Sequence, residues 1–324
     1  MNTGIDRKDP NSWNNGNLPQ HTHGLFQNQH IGLRQGICIA RLETQPLWES
    51  LFGGKPCISS FDAVAFSSPN MQAKEYAAQI VKQNKNGDPV LLSDWLHTDQ
   101  AKKKRKCGVH YQGAFALTDL DEAEKKTQLV VPPDGTTLQD WSDTFLSKFP
   151  AVPVQKGKFD PERGEWVKHT ADERKWLLTN GNVISPVLRA GQMLIWDSRV
   201  PHASLPGKSD GLRNLRMSVF VSARPVALHC MDDILVRREM LSKKLTSGHR
   251  VTSKGVKKKF LACKFSNTGQ TWGKILKTFA TSSVIPDVAD AFEAGEEDSV
   301  AYKIAVFCGA FGREHLLGDT TKYN

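Results

Sequence analysis

The sequence predicts a mainly β protein with α-helical decorations and a closed antiparallel sandwich or jelly roll at its core. About seven short, mostly alternating apolar segments lie between residues 55 and 225, separated by turn-forming residues. A chain of 324 residues is long enough to bury a substantial core. Its hydrophobic fraction of 39% and charged fraction of 24% are typical of a soluble globular protein.

Periodicity places the individual elements along the chain. Apolar residues at helical spacing predict helices at residues 43–52, 71–82, 138–149, 172–178 and 231–244. Alternating or continuous apolar runs predict strands at residues 61–66, 90–92, 109–119, 127–132, 183–188, 191–197 and 217–221. The strands at 109–119 and 127–132 flank a polar turn and look like a hairpin.

These elements suggest three parts. Residues 1–54 read as an N-terminal arm with a helical lead-in, and residues 55–225 as the β core. Residues 226–324 read as a helical or irregular extension packed on that core. The chain has no internal repeats.

The formal net charge of +9 suits acidic partners such as nucleic acid, acidic metabolites or an anionic membrane surface. Much of it is concentrated in Lys102-Lys103-Lys104-Arg105-Lys106, which cannot pack in a core. This run is interpreted first as a solvated surface loop. It could also attract an anionic substrate or phosphates, or act as a nuclear localisation signal.

Cysteine usage and hydropathy indicate an intracellular protein, cytoplasmic unless the basic run directs it to the nucleus. The six cysteines are scattered without a Cys-x-x-Cys pair, which is typical of reduced thiols rather than a disulfide framework. The first residues lack the apolar stretch of a secretory signal. We also expect no membrane span, because no apolar run is long enough.

The chemistry of the chain is organised around Trp95-Leu96-His97-Thr98-Asp99. If a strand continues from the apolar run before it, His97 and Asp99 point to one face, because side chains alternate along a strand. His202, which follows the strand at 191–197, is the best candidate for a third ligand. Two histidines and one carboxylate with open coordination positions suit non-haem Fe(II) in O₂-using enzymes.

A second group of residues suits a carboxylate. Arg213 and Arg216 follow His202, and Arg216 shares a strand face with Ser218. An arginine beside a hydroxyl can hold one carboxylate, the arginine through a charge-assisted fork. Gln112 and Thr127 are predicted to face the same pocket as the metal.

Together, these segments resemble the phytanoyl-CoA dioxygenase-like group of Fe(II)/2-oxoglutarate oxygenases over residues 55–225. The segments that carry the resemblance are His97-Thr98-Asp99, Tyr111 to Asp119, Thr127 to Pro132, Gly191 to Asp197 with His202, and Arg216. The chain departs from the family where Pro132-Pro133-Asp134-Gly135 stands in place of Pro-Gly-Ser-His.

The resemblance implies a double-stranded β-helix core of the cupin-like type. It implies His97, Asp99 and His202 as ligands of Fe(II), with 2-oxoglutarate and O₂ as co-substrates. It also implies a basic residue that binds the far carboxylate of 2-oxoglutarate. Arg216 with Ser218 is the preferred candidate, and Arg213 suits the shorter spacing of some members. Gln112 and Thr127 complete the predicted co-substrate site.

The predicted activity is oxidative decarboxylation of 2-oxoglutarate to succinate, coupled to hydroxylation of a small organic substrate. The sequence identifies neither that substrate nor the oligomeric state. One alternative is a nucleic-acid-binding or nucleic-acid-modifying protein on the same fold, which the Lys102–Lys106 run and a second basic run at Lys254–Lys259 motivate. Another is a cupin-like enzyme that uses zinc or manganese without 2-oxoglutarate.

Overall fold

Two five-stranded antiparallel sheets dominate the fold. The computed structural model describes residues 9, 12, 24–26, 31–67, 78–83, 89–93, 95–100, 110–120, 127–151, 167–204, 216–242, 292–295, 297–309 and 311–317. The prediction of a sheet-rich protein with helices and antiparallel pairing is confirmed.

The strands are numbered β1 to β14 in chain order. The first sheet has the spatial order β1 (Leu25–Phe26), β3 (Val64–Ser67), β13 (Arg216–Val221), β7 (Tyr111–Ala116) and β11 (Met193–Asp197). The second has the order β10 (Asn182–Ile184), β8 (Thr127–Val131), β12 (His202–Ser204), β6 (His97–Thr98) and β9 (Val167–Lys168). Two smaller pairs are formed by β2 (Cys57–Ser59) with β14 (Ala223–Pro225), and by β4 (Ala78–Gln83) with β5 (Pro89–Ser93).

Helices flank the sheets. Their bounds are α1 (Gln35–Glu43), α2 (Gln45–Leu51), α3 (Leu138–Lys148), α4 (Ala171–Thr179), α5 (Met231–Ser242) and α6 (Val300–Gly309), with 3-10 turns at Ile31–Leu33, Val226–Leu228 and Glu314–Leu316. Threonines cap two of them. The Thr137 side chain accepts from the Asp140 N–H at the start of α3, and Thr170 forms a reciprocal capping box with Glu173 at the start of α4.

Helices α3 and α4 pack behind the second sheet. Trp141 and Phe145 of α3 and Leu177 of α4 are buried together with Val130 of β8 and Ala203 of β12. Because side chains alternate along a strand, this packing leaves the neighbouring residues of β8 and β12 to face the other way. The helices therefore hold the strands that carry His97, Thr127 and His202.

The largest apolar cluster lies beside the first sheet and combines distant parts of the chain. Trp48 of α2 and Cys38 of α1 pack with Val219 of β13 and with Ile304 and Phe307 of α6. Residues from all three predicted parts of the chain therefore contribute to one core. The division at residues 54 and 225 stays a prediction.

Two local predictions were wrong. β7 and β8 do not form a hairpin, because β7 pairs with β11 and β13 whereas β8 pairs with β10 and β12. The chain crosses from one sheet to the other between them. The C-terminal half of the helix predicted at residues 71–82 is instead β4, paired with β5. The β-branched residues Ile80 and Val81 suit that strand, and the rest of the predicted helix, residues 71–77, lies outside the described residues.

In the described part of the chain, no helix is both long and apolar enough to cross a membrane.

Candidate metal centre

The structure brings His97, Asp99 and His202 together. His97 begins β6, Asp99 follows one residue after that strand, and His202 begins β12 directly opposite His97. The His97 Nε2 lies 3.6 Å from Asp99 Oδ1, and the His202 Nε2 lies 3.0 Å from Asp99 Oδ2. One ligand atom from each residue lies within 4.8 Å of the others, a spacing that suits a single shared ion.

The backbone orients both imidazole rings. The His97 Nδ1 lies 2.8 Å from the Trp95 carbonyl oxygen, and the His202 Nδ1 lies 3.0 Å from the Val200 carbonyl oxygen. A carbonyl oxygen only accepts hydrogen bonds, so each Nδ1 must carry the proton and donate it. In the neutral rings, the Nε2 atoms therefore present lone pairs toward Asp99.

The three candidate ligands turn electron-rich atoms toward one another. Two nitrogen lone pairs and an ionised carboxylate at these distances repel one another. A divalent cation among them would turn that repulsion into coordination, and the Nδ1–H donation to a carbonyl is the usual support for a ligating histidine. Asp99 and His202 are buried, and His97 is half-buried. The three side chains thus fit a metal ion.

Side-chain hydrogen bonds hold the turn between β11 and β12 in place. Arg199 donates from Nε to Asp197 Oδ1 at 3.0 Å and from Nη2 to Asp197 Oδ2 at 2.8 Å. Ser198 donates its hydroxyl to Gln100 Oε1, next to Asp99, at 3.1 Å. The turn that delivers His202 is therefore tied to the segment that delivers Asp99. Sequence patterns alone did not single out these bracing residues, although Asp197 and Arg199 stand only two residues apart.

A pocket opens onto the three residues between the two sheets. Its walls combine side chains from both sheets with the loops around the metal ligands. The lining residues are Leu25, Ala63, Trp95, His97, Asp99, Gln112, Thr127, Trp196, His202, Ala203, Ser204 and Phe220. Apart from the candidate ligands, most of this surface is apolar or aromatic.

Arg216 lies behind the pocket wall and contacts Thr127, which lines the pocket. Its guanidinium is buried, and Nη2 donates to the Thr127 hydroxyl at 3.0 Å. Ser218, two residues along β13, is also fully buried, and its hydroxyl has no hydrogen-bond partner among the described residues. Arg213, the other candidate anchor, lies outside the described residues, as does the Lys102–Lys106 run.

Gln112 lines the pocket, and its position along the first sheet differs from that of Ser218. In the β7–β13 register, Ser218 pairs with Ala116, whereas Gln112 lies four residues earlier in β7 and pairs with Trp196 of β11. At about 3.3 Å per residue, this spacing separates the two levels by about 13 Å. Of the predicted co-substrate residues, Arg216 contacts Thr127 and lies two residues from Ser218 on β13, whereas Gln112 lies further along the sheet.

No family model matches the sequence, and no curated protein matches it significantly. Among solved structures, the GlcNAc-inducible gene 2 product GIG2 (DUF1479) of Candida albicans matches 70% of this chain, with a TM-score of 0.44 and 10% identity. The α-ketoglutarate-dependent epimerase SnoN from nogalamycin biosynthesis, in complex with Fe³⁺, α-ketoglutarate and nogalamycin RO, matches 58% of this chain, with a TM-score of 0.32 and 16% identity.

A third structure, AviO1 from Streptomyces viridochromogenes, matches 55% of this chain, with a TM-score of 0.27 and 14% identity. The matches cover 58% of GIG2, 59% of SnoN and 55% of AviO1, so the chain spans little more than half of each. Because these scores are low, the function proposed below rests on the geometry of this chain's own residues.

Proposed function

We propose that this protein is a non-haem Fe(II)/2-oxoglutarate-dependent dioxygenase with His97, Asp99 and His202 as its metal ligands. It would couple oxidative decarboxylation of 2-oxoglutarate to succinate with hydroxylation of an organic substrate. The observation that carries the proposal is the convergence of two Nε2 atoms and one carboxylate, with both Nδ1 atoms directed at backbone carbonyls.

The donor set fits iron. Two imidazoles and one carboxylate with open positions form the ligand set of Fe(II) oxygenases and also of some catalytic zinc enzymes, whereas structural zinc sites are usually closed by four protein ligands. Among the described residues, no fourth histidine, cysteine or acidic side chain joins the group. Fe(II), when bound, would supply the activation of O₂, which no amino-acid side chain provides.

Arg216, Thr127 and Ser218 would hold the far carboxylate of 2-oxoglutarate. Arg216 provides the positive charge, and the buried Ser218 hydroxyl provides a hydrogen-bond donor. Thr127 accepts from Arg216 and also lines the pocket, so it links the buried guanidinium to the pocket wall. An arginine held by a threonine is pre-oriented, which lowers the entropic cost of binding a dicarboxylate.

The remaining pocket walls would control access of water. Trp95, Trp196 and Phe220 surround the candidate ligands with aromatic surface. Such a wall excludes water from the site and strengthens the electrostatic interactions within it. We further propose that the two sheets form a double-stranded β-helix and that the chain belongs to the phytanoyl-CoA dioxygenase-like group.

Anaerobic titration with Fe(II) and then with 2-oxoglutarate tests the proposal. We expect one ferrous ion per chain, a visible charge-transfer band when 2-oxoglutarate is added, and succinate release on exposure to O₂. Asp99→Asn and His202→Gln should abolish the band. His229→Gln is the matched control, because His229 is an equally buried histidine that does not line the pocket.

The titration also separates the alternatives. Tight binding of zinc or manganese without 2-oxoglutarate-dependent succinate release would favour a cupin-like metal enzyme instead. Iron binding that survives both Asp99→Asn and His202→Gln would refute the assignment of the ligands.

A further inference from the structure

We propose that Gln112 and Trp196 form a hydrogen-bonding subsite that recognises a neutral amide group of the organic substrate, such as a carboxamide or lactam. This inference rests on the proposed function for the reaction, and it assigns to Gln112 a role different from co-substrate binding. The two residues are cross-strand partners on β7 and β11, and both line the pocket.

Gln112 and Trp196 carry buried polar atoms. Gln112 is 2% exposed and Trp196 is 5% exposed. Among the described residues, neither the Oε1 and Nε2 of Gln112 nor the Nε1 of Trp196 has a hydrogen-bond partner. Buried polar atoms are nearly always paired, so three unpaired atoms on adjacent strands of a pocket wall indicate a ligand.

The position of Gln112 along the sheet separates it from the proposed 2-oxoglutarate anchor. Gln112 lies about 13 Å along the sheet from the level of Ser218. The carbon chain of 2-oxoglutarate has four C–C bonds of about 1.5 Å and spans at most about 6 Å. A 2-oxoglutarate molecule anchored near Ser218 and Arg216 would therefore end well short of the level of Gln112.

Trp196 also places this subsite beside the candidate metal centre. Its ring centroid lies 5.1 Å from that of His202. A substrate bound by Gln112 and Trp196 would therefore lie next to the metal, where the carbon to be hydroxylated must be.

The donors and acceptors of Gln112 and Trp196 match those of an amide group. The carboxamide of Gln112 both accepts and donates, and the indole N–H of Trp196 only donates. An amide ligand is complementary, because its N–H can donate to Gln112 Oε1 and its carbonyl can accept from both N–H groups. A carboxylate would leave Oε1 without a donor, and no lysine or arginine is among the described residues that line the pocket.

Benzamide and benzoate form a matched pair of probes, since they share a ring and differ in the recognised group. Equilibrium dialysis would measure their binding to the full chain, both metal-free and loaded anaerobically with Fe(II) and 2-oxoglutarate. We expect benzamide to bind at least tenfold more tightly than benzoate. Trp196→Phe, which keeps a ring but removes the N–H, should weaken benzamide binding about three- to tenfold.

Gln112→Met keeps the length of the side chain and removes its polar atoms. We expect it to abolish the preference for benzamide, to leave the affinity for Fe(II) and 2-oxoglutarate unchanged, and to leave the unfolding midpoint unchanged or higher. A midpoint that does not fall distinguishes recognition from a structural role, because removing unsatisfied buried atoms does not destabilise a fold. Gln128→Met is the matched control, since Gln128 is equally buried and does not line the pocket. It should keep the preference for benzamide.

Three results would overturn the inference. These are equal binding of the two probes to the wild-type protein, weaker 2-oxoglutarate binding in Gln112→Met, or a large fall in its unfolding midpoint. Failure of the proposed function is a separate outcome. A chain that binds neither Fe(II) nor 2-oxoglutarate but still prefers benzamide when metal-free would refute the oxygenase and keep the subsite.

Discussion

Replacement of Arg216 by methionine is the most direct test of the proposed co-substrate site. Methionine keeps much of the length of the side chain and removes its charge. Arg216 is only 3% exposed, so a carboxylate bound against it would be largely out of water. Breaking such a buried ion pair by removing one partner costs about 3–5 kcal/mol, because the other charge is left uncompensated. At about 1.4 kcal/mol per factor of ten, the affinity for 2-oxoglutarate should fall about 150- to 5,000-fold.

The assay is anaerobic titration of the Fe(II)-loaded protein with 2-oxoglutarate, monitored by the charge-transfer band. Thr127→Val should have a smaller effect, about 10- to 150-fold at most, because it removes one hydrogen bond to the guanidinium and leaves the positive charge in place. Iron affinity measured without 2-oxoglutarate should not change in either variant, since neither residue belongs to the proposed ligand set.

If Arg216→Met binds 2-oxoglutarate within about threefold of the wild type, Arg216 is not the anchor, because the loss expected of a buried ion pair is far larger. Arg213→Met is the companion variant. A large loss in Arg213→Met together with a normal Arg216→Met would move the anchor to Arg213.

Further predictions concern stability and the braced turn. Burial lowers the pKa of His229 to about 4, so the unfolded chain takes up a proton below pH 6.5 that the folded chain does not. Urea unfolding should therefore show about 3 kcal/mol of stability lost as the pH falls from 6.5 to 4, and most of this dependence should disappear in His229→Gln. In Gly181→Ala, the new Cβ would lie 2.8 Å from the Leu177 carbonyl oxygen, and calorimetry should show a loss of about 1–3 kcal/mol. Arg199→Met removes the fork to Asp197 and should weaken iron binding without changing the ligands, whereas unchanged iron affinity would show that the turn holds His202 without it.

The candidate metal ligands could be predicted from the sequence because each is a metal-binding residue type next to a recognisable apolar strand. A single residue separates His97 from Asp99, and His202 follows soon after the apolar strand predicted at residues 191–197. The structure brings these three side chains together. Their role as iron ligands stays a prediction that the titrations above address.

The predictions that failed concern partners that are distant in sequence. The hairpin of β7 and β8 was the simplest pairing of two neighbouring strands, but apolar alternation determines only which face of a strand is buried. It does not determine which sheet the strand joins. The same alternation could not show that Gln112 and Ser218 lie at different levels of the first sheet, because that separation depends on the register of β7 with β13.

β4 was mistaken for a helix for a related reason. Its apolar residues Ile80 and Val81 fit both a helical stripe and a strand when only a few residues are considered. Pairing with β5 decides between the two. The bracing of the turn at Asp197 was also invisible to periodicity, since it depends on side chains that meet across a few residues of loop.

The strand that carries His97 is only two residues long, and a single register pair joins it to β12. An ion bound by His97 and His202 would act as a cross-link between these two short strands. Loss of the ion would then loosen the edge formed by β6 and β9 before the rest of the sheet. Hydrogen exchange at these strands would therefore be slower in metal-bound molecules than in metal-free ones. Proteases would cut the edge formed by β6 and β9 faster in metal-free molecules.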